Sequence, residues 1–87
     1  MQQEKITITN AVGLHARPAS IFVQTSNKFS SDIVIEYDNK TANAKSILQV
    51  LSLGVQKGGK ISLKITGADE VAALNTLKGL VDSNFGE

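Results

Sequence analysis

The chain has no cysteine and no tryptophan, only one histidine, one proline, one methionine and one tyrosine, and aromatic residues make up 5% of it. Without cysteine there is neither a disulfide framework nor a thiolate metal site, and a single histidine cannot complete a zinc site, so no metal and no cofactor are expected. No apolar run approaches the roughly 20 residues of a membrane span, which excludes membrane insertion. The polar opening Met1-Gln2-Gln3-Glu4-Lys5 has no secretory h-region, and a cytoplasmic location is expected. Nine basic and eight acidic residues leave a formal net charge of +1 and no basic arm or stripe, so nucleic acid is not an expected partner. What remains is 87 residues, 41% of them apolar, a length and balance that suit one domain spanning residues 1–87 around one core.

Periodicity divides the chain into alternating strands and helices. Lys5-Ile6-Thr7-Ile8-Thr9 alternates apolar and polar residues, the pattern of a half-buried strand. Over residues 16–27 the spacing of Ala19, Phe22 and Val23 makes one apolar helical face, with Pro18 admissible because it falls in the first turn. Ile33, Ile35 and Tyr37 alternate with polar neighbours, and Asp38-Asn39 suits a tight turn into residues 40–43, which predicts an antiparallel hairpin. A short helix over residues 46–53 is closed by Gly54, and Gly58-Gly59 turns the chain into a strand carrying Ile61, Leu63 and Ile65. Asp69 is placed to cap a last helix whose Leu74, Leu77 and Val81 recur at helical spacing, with Gly79 inside it costing about 1 kcal/mol relative to alanine. The expected fold is α+β in the order βαββαβα, a four-stranded antiparallel sheet covered on one face by three helices.

The run Gly13-Leu14-His15-Ala16-Arg17-Pro18-Ala19 puts the single histidine at a helix entrance. Imidazole is nucleophilic and partly neutral at cellular pH, and a helix start offers free amides and a positive dipole end to an anion. A phosphoryl group on His15 would meet the backbone at Ala16 and Arg17 and the guanidinium of Arg17, with no general base required. A lone histidine at a helix start is more often a polar surface or capping residue, and on spacing alone the run reads first as that. Ser46-Ile47-Leu48-Gln49 matches the capping box S-x-x-Q, with the serine bonding a first-turn amide and Gln49 reaching back. An N-cap serine is also a position that tolerates a phosphate. The helix it opens is apolar around more than half its circumference, so Ile47, Leu48, Val50, Leu51 and Leu53 either form a docking patch or are buried at the helix ends.

That first run, together with Phe22-Val23-Gln24, Ser31-Asp32-Ile33, Asn43-Ala44-Lys45-Ser46-Ile47 and Leu51-Ser52-Leu53-Gly54-Val55, resembles HPr, the histidine-containing phosphocarrier family of the bacterial phosphoenolpyruvate-dependent sugar phosphotransferase system. The resemblance spans nearly the whole chain. It implies an open-faced β-sandwich and a carrier rather than a turnover enzyme: His15 takes a phosphoryl group on Nδ1 from enzyme I and passes it to enzyme IIA domains, with Arg17 in the active site. It further implies that Ser46 is the regulatory position phosphorylated by HPr kinase/phosphorylase in the Gram-positive type, whose seryl-phosphorylated form serves the catabolite control protein as corepressor. Ser20, Gln24, Ile47, Leu48 and Leu51 are then the docking residues. Leu48 and Leu51 stand where such proteins commonly carry methionine, Gln49 where glycine is common, and Val12 where a polar residue is frequent. Leucine adapts to several partner surfaces less readily than methionine does. Three readings follow: a phosphocarrier, which is the expectation, a regulatory relative acting mainly through Ser46, and an interaction domain without phosphorylation. Relay partners that exchange rapidly favour small interfaces and a monomer.

Overall fold

The structure, a computed structural model, describes residues 1–9 and 12–86. Its elements run β1 (Gln2–Thr7), α1 (Ala16–Ser26), β2 (Asp32–Tyr37), β3 (Lys40–Asn43), α2 (Ile47–Ser52), β4 (Lys60–Thr66) and α3 (Glu70–Asp82), followed by a 3-10 turn over Asn84–Gly86. The four strands form one sheet in the order β1-β4-β2-β3, antiparallel at every junction. The helices pack on one of its faces, which is the expected open-faced arrangement.

Alternation decides which face is which. Ile33 and Ile35 of β2 and Ile61, Leu63 and Ile65 of β4 point under the helices and are buried against Ala19, Phe22 and Val23 of α1 and Ala73, Leu77 and Val81 of α3. Their neighbours along each strand face the uncovered side, where Lys64 of β4 pairs with Glu36 of β2 at 2.9 Å. Each fully buried isoleucine or leucine contributes about 1.5–3 kcal/mol. The β2–β3 turn has positive φ at both Asp38 (51°) and Asn39 (64°), the primed geometry whose twist matches a two-residue hairpin.

Four expectations need correction. The first strand begins at Gln2, not Lys5, because Gln2 and Glu4 reach α3 through polar ends: Gln2 Nε2 donates to Glu70 Oε2 and Glu4 pairs with Lys78 at 2.8 Å. It ends at Thr7, and Ile8, though buried, pairs with the Gly58-Gly59 turn instead of extending the strand. The capping box closes on one side only. Ser46 Oγ accepts from Gln49 N at 3.4 Å, but Gln49 Oε1 turns away to accept from Asn43 N at 2.8 Å, since Ser46 N already donates to Asn43 O. Asp69 stands at the N-cap of α3 and its carbonyl accepts from Ala73 N, but its side chain does not bond the helix; its carboxylate accepts from Ser30 N, Ser31 N and Ser31 Oγ and fastens the α1–β2 loop to the β4–α3 loop. Finally, in α3 it is Ala73, with Leu77 and Val81, that is fully buried, while Leu74 lies at the margin.

Past α3 the chain closes on the core. Phe85 adopts φ 59°, is 3% exposed, and places its ring 6.5 Å from that of Phe22.

Candidate functional site

His15 is the N-cap of α1, with extended backbone (φ −78°, ψ −174°), and its carbonyl accepts the first helical bond from Ala19 N at 2.8 Å. Its ring makes no capping bond and is exposed. Ala16 and Arg17 precede that first bonded amide, so their N–H groups have no intrahelical partner, and Pro18 has none to lose. The first turn carries no acidic residue. Here the positive end of the helix is left for an external anion.

The loop before His15 is held from below. Gly13 has φ 66°, and Leu14, buried, donates its N–H to Val55 O at 2.9 Å. That bond brings the start of α1 against the end of α2 and opens a shallow cleft of about 230 Å³ lined by Leu14, His15, Ala16, Leu51, Gly54, Val55 and Gln56. Arg17, exposed on the first turn, is not part of its lining.

Helix α2 connects the cleft to the second position singled out in the sequence. Ser46, half-buried, is its N-cap, and Leu51 near its far end walls the cleft. A helix of this length spans roughly 9 Å, about one Debye length at physiological salt. Between them Leu48 is 78% exposed and Leu51 38%, Ile47 is half-buried, and Val50 and Leu53 enter the core. The patch therefore exists, made from the outward half of the helix, and Val12 adds a further exposed apolar side chain near His15 in the chain. On α1, Gln24 Nε2 donates to Ser20 Oγ at 3.4 Å. Lys45, adjacent to Ser46, is committed elsewhere, its Nζ donating to Phe29 O at 2.8 Å.

The strongest local electrostatics lie outside this surface. The Ser31 hydroxyl, followed by the Ser30 amide, holds the Asp69 carboxyl down at about 2. Glu70 is also lowered, chiefly by its bond to the amino terminus, 2.8 Å away. Both groups lie at the β4–α3 junction and belong to the scaffold. Sequence reasoning did not find the cleft walls Val55 and Gln56, because the Leu14–Val55 bond that sets them beside His15 is non-local and leaves no periodic trace.

No helix among the described residues is long and apolar enough to cross a membrane. Residues 2–83 match the protein-family model described as the PTS HPr component phosphorylation site. Among solved structures, HPr from Thermoanaerobacter tengcongensis is similar at 52% identity with a TM-score of 0.97, covering 100% of this chain and 98% of that one. A phosphocarrier protein HPr from Bacillus anthracis is 42% identical over 90% of this chain and 93% of its own, with a TM-score of 0.87. The Bacillus subtilis catabolite repression protein Crh, described as a domain-swapped dimer, is 43% identical over 97% of both chains, with a TM-score of 0.76.

Proposed function

The chain belongs to the HPr family of the phosphotransferase system, and on that premise we propose that it carries phosphoryl groups on His15 between enzyme I and enzyme IIA domains in the cytoplasm. The observation that supports this most is the exposed His15 ring at the mouth of α1, uncommitted to capping, beside two amides without intrahelical partners. In the forward step the Nδ1 lone pair of neutral His15 forms the N–P bond. The bond from phosphorus to the donor's leaving atom breaks, and that atom keeps its electron pair. The proton on Nε2 stays in place. The same exchange run toward enzyme IIA regenerates the free ring. The Ala16 and Arg17 amides and the helix dipole, about 0.3–1 kcal/mol at an exposed site, hold the phosphoryl oxygens, and the Arg17 guanidinium supplies a mobile cation. Transfer of this kind depends on positioning and charge, and the partner provides the remainder.

Docking in this scheme uses Leu48 and Leu51 with Ile47 at the patch and Ser20 and Gln24 on α1. Phosphorylation of Ser46 by HPr kinase/phosphorylase adds about −1.5 to −2 charges at the rim of that patch. This opposes an acidic partner such as enzyme I while creating the form read by the catabolite control protein. A second reading, regulation through Ser46 alone, is favoured by the likeness to Crh.

Incubation with phosphoenolpyruvate and enzyme I, followed by mass spectrometry, separates the two. Acid-labile phosphate that disappears in His15→Ala is expected. ATP-dependent, acid-stable phosphate alone would establish the regulatory reading, and an unmodified His15 would overturn the carrier. The carrier acts here as a monomer, and sedimentation of the free chain as a dimer would correct that.

A further inference from the structure

We propose that Gln56 is a further phosphoryl contact: its side-chain amide donates a hydrogen bond to a phosphoryl oxygen on His15 and thereby lengthens the life of the phosphohistidine. The inference rests on the carrier reading above and adds a residue to its site.

Of the side chains that line the cleft, only those of His15 and Gln56 are polar among the described residues; Leu14, Leu51 and Val55 are apolar, and Ala16 and Gly54 offer backbone. For an anion attached to the ring and turned into the cleft, the one side-chain donor carried by the described lining residues, besides the ring itself, is the Gln56 amide. Arg17 has to approach from outside, since it takes no part in the lining.

Gln56 is also the better-placed of the two. Its backbone is fixed on both sides: the preceding carbonyl, Val55 O, accepts from Leu14 N at 2.9 Å, and its own carbonyl accepts from Gly59 N at 2.9 Å. Gly13 lies so close beneath that a Cβ there would fall 2.7 Å from Gln56 Cα. The Gln56 backbone and the loop leading into His15 are thus locked together, and the entropy of aligning donor and phosphate is reduced to that of one side chain. The amide itself is exposed and makes no hydrogen bond within the described residues, so it gives up no internal partner when it turns to a phosphate. The apolar walls formed by Leu51 and Val55 exclude part of the surrounding water, which strengthens a bond made there.

A neutral donor suits a carrier. It stabilises the phosphorylated ring without the deep ground state that a second fixed cation would create, which would slow onward transfer.

The test uses the intact chain phosphorylated on His15 by two routes, phosphoramidate without any partner, and phosphoenolpyruvate with enzyme I. The rate of phosphohistidine hydrolysis and the phosphorus-31 chemical shift are then measured. Gln56→Ala is expected to shorten the half-life about 3- to 10-fold, the range of one hydrogen bond, and to move the phosphorus resonance. Gln56→Glu, which replaces a donor with a like charge, should shorten it further, whereas Gln56→Lys, which keeps a donor, should match or exceed the parent. Melting temperatures equal to the parent's show that the exposed substitutions leave the fold intact. Half-lives that are the same across Ala, Glu and Lys overturn the contact. Failure of enzyme I to load His15, with the phosphoramidate series still ordered Lys, Ala, Glu, overturns the carrier reading and leaves the contact standing.

Discussion

Gly13 and Gly54 share a φ of 66°, yet differ in everything around them, which makes the pair a controlled experiment on the loop that carries His15. Replacing either with alanine places a Cβ in the left-handed region at about 1–2 kcal/mol. Both also gain about 0.4–1 kcal/mol from a less flexible unfolded chain, a contribution that cancels between them. At Gly54 nothing lies within 4 Å of the new carbon. At Gly13 it would sit 2.5 Å from Val55 O, 2.7 Å from Gln56 Cα and 2.9 Å from Gln56 C. All three are backbone atoms, so no rotamer change relieves the clash. Leu14 has to draw away from Val55, at an overpacking cost of about 1–3 kcal/mol, with the 2.9 Å bond between them weakened. Gly13→Ala should therefore lose about 1–3 kcal/mol more than Gly54→Ala in urea denaturation at constant m. For a domain of this size that difference corresponds to roughly 4–24 °C in melting temperature. Equal losses for the two variants, or the larger loss at Gly54, would refute the argument that the His15 loop is seated by close backbone approach.

Other expectations are more local. Gly79→Ala in α3 meets nothing within 4 Å and should stabilise the chain by about 0.5–1 kcal/mol, visible as a higher urea midpoint. Asp69 has a folded pKa of about 2 against an ordinary 3.8, so the stability it supplies is complete above about pH 5 and is lost as pH falls through 3.8 toward 2. Asp69→Asn should flatten that limb of the melting-temperature profile, and parallel profiles would dismiss the assignment. Phe85→Ala removes a buried ring packed on Phe22 and should cost about 3 kcal/mol in thermal unfolding. Ser46→Asp keeps a good capping residue, so its melting temperature should hardly move while transfer from enzyme I to His15 slows; an unchanged rate would remove the electrostatic account of regulation.

Element order was legible from the sequence because the two periodicities differ so clearly: Ile61, Leu63 and Ile65 alternate, while Leu77 and Val81 recur one helical turn apart. Asp38-Asn39 marked its own turn because both residues tolerate positive φ. The errors arose where a side chain had a choice of partners. Gln49 and Asp69 have the right type and position for caps, but each found a distant amide instead, at Asn43 and at Ser30 and Ser31. Gln2 and Glu4 carried no apolar signal because their interior contacts are polar. At the candidate site, local sequence was enough to put His15 at a helix start, whereas the cleft was hidden because its far wall comes from residues 51–56. Phe85 was missed for a related reason: a lone aromatic after a helix has no period, and only the neighbouring Phe22 ring shows why it folds back.

The order of strands in the sheet also bears on how the molecule comes into being. β1 pairs with β4 alone, Gln2 opposite Ile65 and Thr7 opposite Lys60, and β4 is what joins β1 to the β2–β3 hairpin. During synthesis at about 5–20 residues per second, the first strand waits roughly 3–12 s before its partner has been made. Until then the local structures available are the hairpin and the first two helices, and the Leu14–Val55 bond beneath the His15 loop has no completed sheet to seat it. A ribosome-bound chain halted before β4 should consequently be a poor acceptor of phosphate, and the capacity to carry it should arrive late and all at once, with the closing of the sheet.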